Sequence, residues 1–228
     1  VQRYSDYQRI AHWVLAIVFL VLGLTGLILL LGRPLLIPLF GKEAFGTLAV
    51  VSKRAHDFLA PLFLVSLLMM LIGFVSRNLY EKGDMTWVLR AGGAIGKGHV
   101  SVGFFNSGEK IWFWTLMLVG LLVSASGLVL LFPNFGQGRI VMELSHVAHS
   151  VGALLLICFS LGHMYMGSIG MEGAFEGMKS GYVDINWADE HHDRWGKECH
   201  EQNRIISADE FAKRHGGKPG AGGQLASD

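Results

Sequence analysis

The chain has 228 residues, of which 51% are hydrophobic and 16% charged, with a formal net charge of +1. Such apolar weight and a positive mean hydropathy exclude an ordinary water-soluble domain and indicate an integral membrane protein. The balanced charge gives no basis for nucleic-acid binding.

A helix needs roughly 20 mostly apolar residues to cross hydrocarbon about 30 Å thick. The first stretch that qualifies is 10–31, which carries His12 near its start. Its length and lack of a small-residue cleavage pattern predict a retained span rather than a signal peptide. The second is 55–75, with His56 and the single acidic residue Asp57. The third is 111–132, and the fourth is 146–166, with His149 and His163. The expected fold is therefore all-α, an integral membrane four-helix bundle formed by residues 1–180. Residues 181–228 read as a polar cytoplasmic tail, whose Gly-rich end RHGGKPGAGGQLASD predicts flexibility. The 76–110 connection, containing GDMTWVLRAGGAIGKG, is expected on the membrane surface.

Positive residues stay on the cytoplasmic side. The N-terminal stretch, the 76–110 loop and the tail hold fourteen Lys and Arg, against five in the two opposite connections. Both termini are thus expected in the cytoplasm. Cys158 and Cys199 form no disulfide framework, and no C-x-x-C-H site for covalent haem occurs. His191, His192, Cys199 and His200 match no standard zinc spacing, and the tail reads as solvated or packed on another subunit.

The chemistry lies in the histidines. His149 and His163 are 14 residues apart, which is about 21 Å of rise and brings both rings to within about 40° of one face. His12 begins the first span on the cytoplasmic side, level with His163. His56 begins the second span outside, level with His149. Ionisable groups inside a bilayer are costly and usually functional, and imidazole is a natural axial ligand for iron. The arrangement suggests two stacked b-type haems, one held by His56 and His149 and the other by His12 and His163, in preference to a proton path, another metal or a hydrogen-bonded bridge between helices. His146 points roughly 100° away from the His163 face and is the weaker candidate. Gly23, Gly26, Ser124, Ser126, Gly127 and Gly152 are small enough to admit a porphyrin, though such residues also serve helix contacts in lipid.

The opening RYSDYQRIAHW, the KRAHDFLAP stretch, the loop FFNSGEKIWFW, the segment AHSVGALLLICFSLGHMYMG and the exit GYVDINWADEHHDRW carry a further signal. Together they resemble the cytochrome b (gamma) subunits of membrane-bound respiratory formate dehydrogenases, over most of the chain to about residue 196. The four-histidine pattern is shared with hydrogenase and thiosulfate-reductase cytochromes, which form the alternative reading. The N-x-G-x-K loop is the more discriminating element.

The resemblance implies an electron wire in the bacterial cytoplasmic (inner) membrane. Electrons would leave formate at a periplasmic alpha subunit containing molybdenum or tungsten, pass an iron-sulfur beta subunit, cross the two haems b and reduce menaquinone or another quinone near the cytoplasm. This chain would anchor the complex and reduce quinone, with no formate-oxidising site of its own. A higher oligomer of the complex would be compatible with this role. The quinone-binding positions implied are Asn106, Gly108 and His163, with the 76–110 loop framing the entrance. Phe104-Phe105 before the asparagine and Ser107 and Glu109 after it depart from the more usual Lys-Tyr, Ala and Gln. Arg9, Arg54 and Lys110 stand at helix ends, as haem-propionate partners or as snorkelling anchors. With electrons arriving from outside and protons from the cytoplasm, each charge moved is worth about 2.3 kcal/mol per 100 mV.

Overall fold

The computed structural model describes residues 1–96 and 100–214. The Gly-rich end from 215, expected to be flexible, lies outside the described residues. Among those described the structure is helical, apart from one isolated bridge between Gln2 and Tyr182. Among the described residues three helices are long and apolar enough to cross a membrane: Asp6–Arg77, Ser107–Leu131 and Arg139–Gly170.

Helix α1 (Asp6–Phe74) opens with a capping box in which Ser5 and Gln8 satisfy each other's backbone amides. The sequence predicts two helices here with a loop over 32–54. The structure instead carries helical backbone through Pro34 and Pro38 and breaks it at Gly41, with φ 80° and ψ 169°. That conformation is essentially reserved for glycine. The charges in RPLLIPLFGKEAFG read as a loop, but the intervening apolar residues support helix. An unbroken helix of this length would run on the order of 100 Å, several times the hydrocarbon thickness. Instead α1 doubles back on itself. The Tyr7 hydroxyl donates to Met69 O at 3.1 Å and the Gln8 amide to Gly73 O at 2.8 Å. Near the turn, Phe45 fills the space left by Gly32, where a Cβ would come within 2.6 Å of its ring.

After the short helix α2 (Asp84–Leu89), helices α3 (Ser107–Leu131) and α4 (Arg139–Tyr165) pack on this hairpin and on each other. Gly152 lets α4 approach α3, since a Cβ there would lie 2.8 Å from Val123 Cγ2. This glycine serves helix packing rather than a porphyrin. The shared core is built from Leu15, Val18, Phe63, Leu67, Phe113, Met117 and Leu156. Outward positions such as Ile17, Leu24, Leu118, Leu121, Val151 and Leu155 are exposed, as suits side chains whose solvent is lipid.

A polar and aromatic cap closes one end. The Val1 ammonium donates to Val183 O at 2.7 Å and Arg3 N to Gly181 O at 2.8 Å. Arg194 N donates to Val102 O at 3.0 Å, and the short helices α5 (Ala174–Ser180), α6 (Ile185–His191) and α7 (Asp193–Glu201) complete the layer. The N-terminus, the segment before α3 and residues 181–204 therefore lie on the same side. The stretch read as a tail is largely folded against the helices, with Trp195 and Cys199 wholly buried. The reason is Arg3. Its guanidinium is buried, donates to Phe104 O and Glu109 Oε1 at 3.1 Å each, and lies 4.8 Å from the Trp187 ring. A buried cation needs such partners.

Candidate functional site

The doubled-back α1 brings His56 opposite α4, and its first limb brings His12 there too. The His56 and His149 ring centres are 6.0 Å apart, and those of His12 and His163 are 6.1 Å apart. His12, His56 and His149 are partly buried and His163 is exposed. His146 is also exposed and joins neither pair. Two imidazoles bound on opposite sides of one metal, at about 2.0–2.1 Å per nitrogen, have ring centres roughly 6 Å apart. Both pairs have that spacing.

Hydrogen bonds fix the chemistry of the His56–His149 pair. Thr25 Oγ1 donates to Val21 O at 2.8 Å and stands 3.0 Å from His56 Nδ1, so the ring nitrogen is the donor in that contact. His149 Nδ1 is 3.0 Å from Val123 O, and a carbonyl only accepts. Each Nδ1 thus carries the proton, leaving the Nε2 lone pair free for a metal. The adjacent glycines keep close contacts off these rings. A Cβ at Gly26 would sit 3.3 Å from His56 Cε1, and one at Gly127 would sit 3.0 Å from His149 Cε1. Ser126 lies 3.4 Å from His149 Nδ1, whereas Ser124 bonds back to Gly120 O and Gly23 makes ordinary contact with Ile157.

The His12–His163 pair is held differently. Trp112 stacks on His163 with ring centres 5.2 Å apart and an interplanar angle of 20°. His12 Nδ1 is buried without a hydrogen-bond partner among the described residues.

Near this end a cavity of about 370 Å³ is lined by Trp87, Asn106, Met171, Glu190 and His191, with Gly92, Gly93, Val100 and Val102 completing its wall. Asn106 caps α3, its Oδ1 accepting from Glu109 N at 2.9 Å while Glu109 Oε2 accepts from Asn106 N at 2.7 Å. The cap leaves its NH2 group as the donor it can offer a ligand. Gly108 stands behind Trp87, where a Cβ would come within 3.0 Å of the indole. His163 is not in the cavity wall, but Trp112 follows Gly108 by one helical turn on α3 and stacks on it. Lys110 is buried and pairs with Asp84 at 3.0 Å and Glu81 at 3.6 Å, and Arg9 bonds to Met178 O, Lys179 O and Asp6. Both cations are committed to protein partners, while Arg54 is exposed.

Within the cap, His192 is wholly buried and its Nδ1 lies 3.0 Å from Gly103 O. Burial, reinforced by the nearby Arg3 charge, pushes its imidazole down to about 3, so it is neutral. Of the other tail residues, His191 lines the cavity, His200 pairs with Asp189 at 2.9 Å, and Cys199 is a buried free thiol.

A family model for prokaryotic cytochrome b561 matches residues 3–181. The chain belongs to this cytochrome family. It is 31% identical over 196 residues to the cytochrome b556 subunit of the nitrate-inducible formate dehydrogenase of Escherichia coli strain K12, covering 84% of this chain and 88% of that one. The cytochrome b556 subunit of a Haemophilus influenzae formate dehydrogenase is 29% identical over 206 residues, covering 86% and 82%. A second Escherichia coli K12 relative, named for the Fdo formate dehydrogenase, is 27% identical over 201 residues, covering 86% and 92%. The resemblance read from the sequence is thus upheld, and membership in a cytochrome b family implies haem b. The residues of this cytochrome fit that group: imidazole pairs at axial spacing, fixed tautomers in one pair, and glycines where a Cβ would press on the rings.

Thr25, Val123, Trp112 and Trp87 escaped the sequence reading. A hydroxyl inside an apolar span was the available signal for Thr25. Nothing in the spacing distinguishes Trp112 from its aromatic neighbours Trp114 and Phe113.

Proposed function

We propose that this protein is the di-haem cytochrome b membrane subunit of a respiratory formate dehydrogenase, carrying electrons from a periplasmic iron-sulfur subunit to quinone at the cytoplasmic side. The observation that carries the reading is the presence of two histidine pairs, with ring centres at 6.0 and 6.1 Å. His56 and His149 would hold one haem b and His12 and His163 the other, in a four-span bundle formed by the two limbs of α1 with α3 and α4. The charge asymmetry favours a cytoplasmic side for both termini and the cap, and the prokaryotic cytochrome family favours the bacterial inner membrane.

Bound haem supplies reversible one-electron chemistry. The chain's own residues do the rest. The four histidines fix two sites at opposite ends of the bundle, while Thr25 and Val123 orient one pair. At the other end the Asn106 NH2 can donate to a quinone oxygen, whose basicity rises on reduction, and Trp112 links the first turn of α3 to His163. Glu190 and His191 bring titratable groups to the same cavity. The relatives are named as formate dehydrogenase subunits, which favours a molybdenum- or tungsten-containing alpha subunit and an iron-sulfur beta subunit as partners. Adding formate to the purified complex under argon should reduce the b-type absorption, and a quinone should then reoxidise it. Reduction by hydrogen or thiosulfate in place of formate would assign the cytochrome to the alternative complexes.

A further inference from the structure

The two histidine pairs differ in how their ring nitrogens are bonded. His56 donates from Nδ1 to Thr25 Oγ1 at 3.0 Å, and His149 donates from Nδ1 to Val123 O at 3.0 Å. In the other pair no ring nitrogen of His12 or His163 is hydrogen-bonded among the described residues, His12 Nδ1 being buried without a partner, and the Trp112 ring face stacks on His163. The asymmetry therefore has a definite sign. A hydrogen bond from the remote nitrogen makes the metal-bound nitrogen a stronger donor, which favours the more positive oxidised iron and lowers the reduction potential. Beside His56, Asp57 pairs with Lys53 at 2.5 Å.

We infer that this difference in second-nitrogen bonding sets the His56–His149 haem at the lower potential and the His12–His163 haem at the higher, so that electrons run downhill toward the cap. The inference rests on the di-haem reading. The step it concerns would be one-electron exchange between the haems the two pairs would hold: the iron held by His56 and His149 would go from ferrous to ferric and that held by His12 and His163 from ferric to ferrous, with no bond or proton changing. Thr25 acts through His56 and is a positioning residue.

The test is a potentiometric titration of the b-type absorption in the purified complex, with haem quantified per copy of the chain. Wild type should titrate as two components. Thr25→Val, which keeps the shape and deletes the hydroxyl, should move the lower component upward, leave the higher one in place and narrow the gap. Thr25→Ser, which keeps the hydroxyl, should retain the wild-type titration. The inference is overturned if the higher component moves, or if neither moves while both haems stay bound. If Thr25→Val proves unstable, the low-spin electron paramagnetic resonance signals of wild type and Thr25→Ser at poised potentials decide the same order, and oxidation of the His12–His163 site first on raising the potential overturns it. Fewer than two haems per wild-type chain would fail the di-haem reading itself, separately from the order of potentials.

Discussion

The Trp112 indole lies over the His163 imidazole at 5.2 Å and 20° from parallel, one helical turn beyond Gly108 on α3. This stack joins the histidine pair nearest the cap to the helix turn that borders the cavity. An aromatic pair of this kind contributes about 0.5–1.5 kcal/mol beyond simple burial. Trp112→Ala should change the electron paramagnetic resonance signal of the His12–His163 haem, leave the other signal in place and lower quinone reduction by up to about tenfold. Retention of both signals and of wild-type turnover would show that the stack is only packing.

Gly127 probes the opposite end. A Cβ there would lie 3.0 Å from His149 Cε1, and an α-helix flanks the residue on both sides. Gly127→Val should displace His149 and lower haem content by one per chain, with the His12–His163 haem retained. Gly26→Ala, with 3.3 Å to His56 Cε1, should act on the same haem more mildly. Absorption spectra with haem quantification check both, and loss of the other haem would contradict the assignment.

Asn106 has two jobs that substitution can separate. Its Oδ1 caps α3, a role aspartate performs equally well, while its NH2 is the group proposed for quinone. Asn106→Asp should keep the thermal midpoint and lose most quinone reduction. Asn106→Ala should lose activity and also about 1 kcal/mol of stability with the cap. Full turnover in Asn106→Asp would remove the proposed ligand role.

His192 gives the cap a pH dependence with a definite direction. Its folded value is down at about 3 against 6.5 for an ordinary histidine. In the window between them the unfolded chain binds the extra proton, so stability falls as pH drops from about 6.5 toward 3, by up to about 1.4 kcal/mol per pH unit from this residue. His192→Asn can keep the bond to Gly103 O without a titrating ring. Thermal midpoints of the detergent-solubilised protein between pH 7 and 4.5 should fall less steeply in the variant than in wild type. Parallel slopes would show that His192 does not control this dependence.

Much of this was legible in the chain because membrane helices leave clear marks. Long apolar runs located the helices, and the 14-residue step from His149 to His163 brought the histidines into the pairs whose rings meet. Family membership was carried by motifs spread from Arg3 to Trp195. The hinge at Gly41 was not legible, since residues 32–54 have charges that mimic a loop and apolar residues that support a helix. The ring-back partners Thr25 and Val123 are 31 and 26 residues from His56 and His149, and no local pattern links them. The cap was hidden for a similar reason. Phe104, Trp187 and Trp195 assemble around Arg3 only once three distant segments fold together.

The most direct measurement is a pyridine haemochrome assay on the purified complex, with haem counted per copy of this chain and repeated for His12→Ala and His56→Ala. Two haems b in wild type, with each variant lacking a different one, is the predicted result. One haem or none per chain, or loss of the same haem in both variants, would contradict the paired-histidine account.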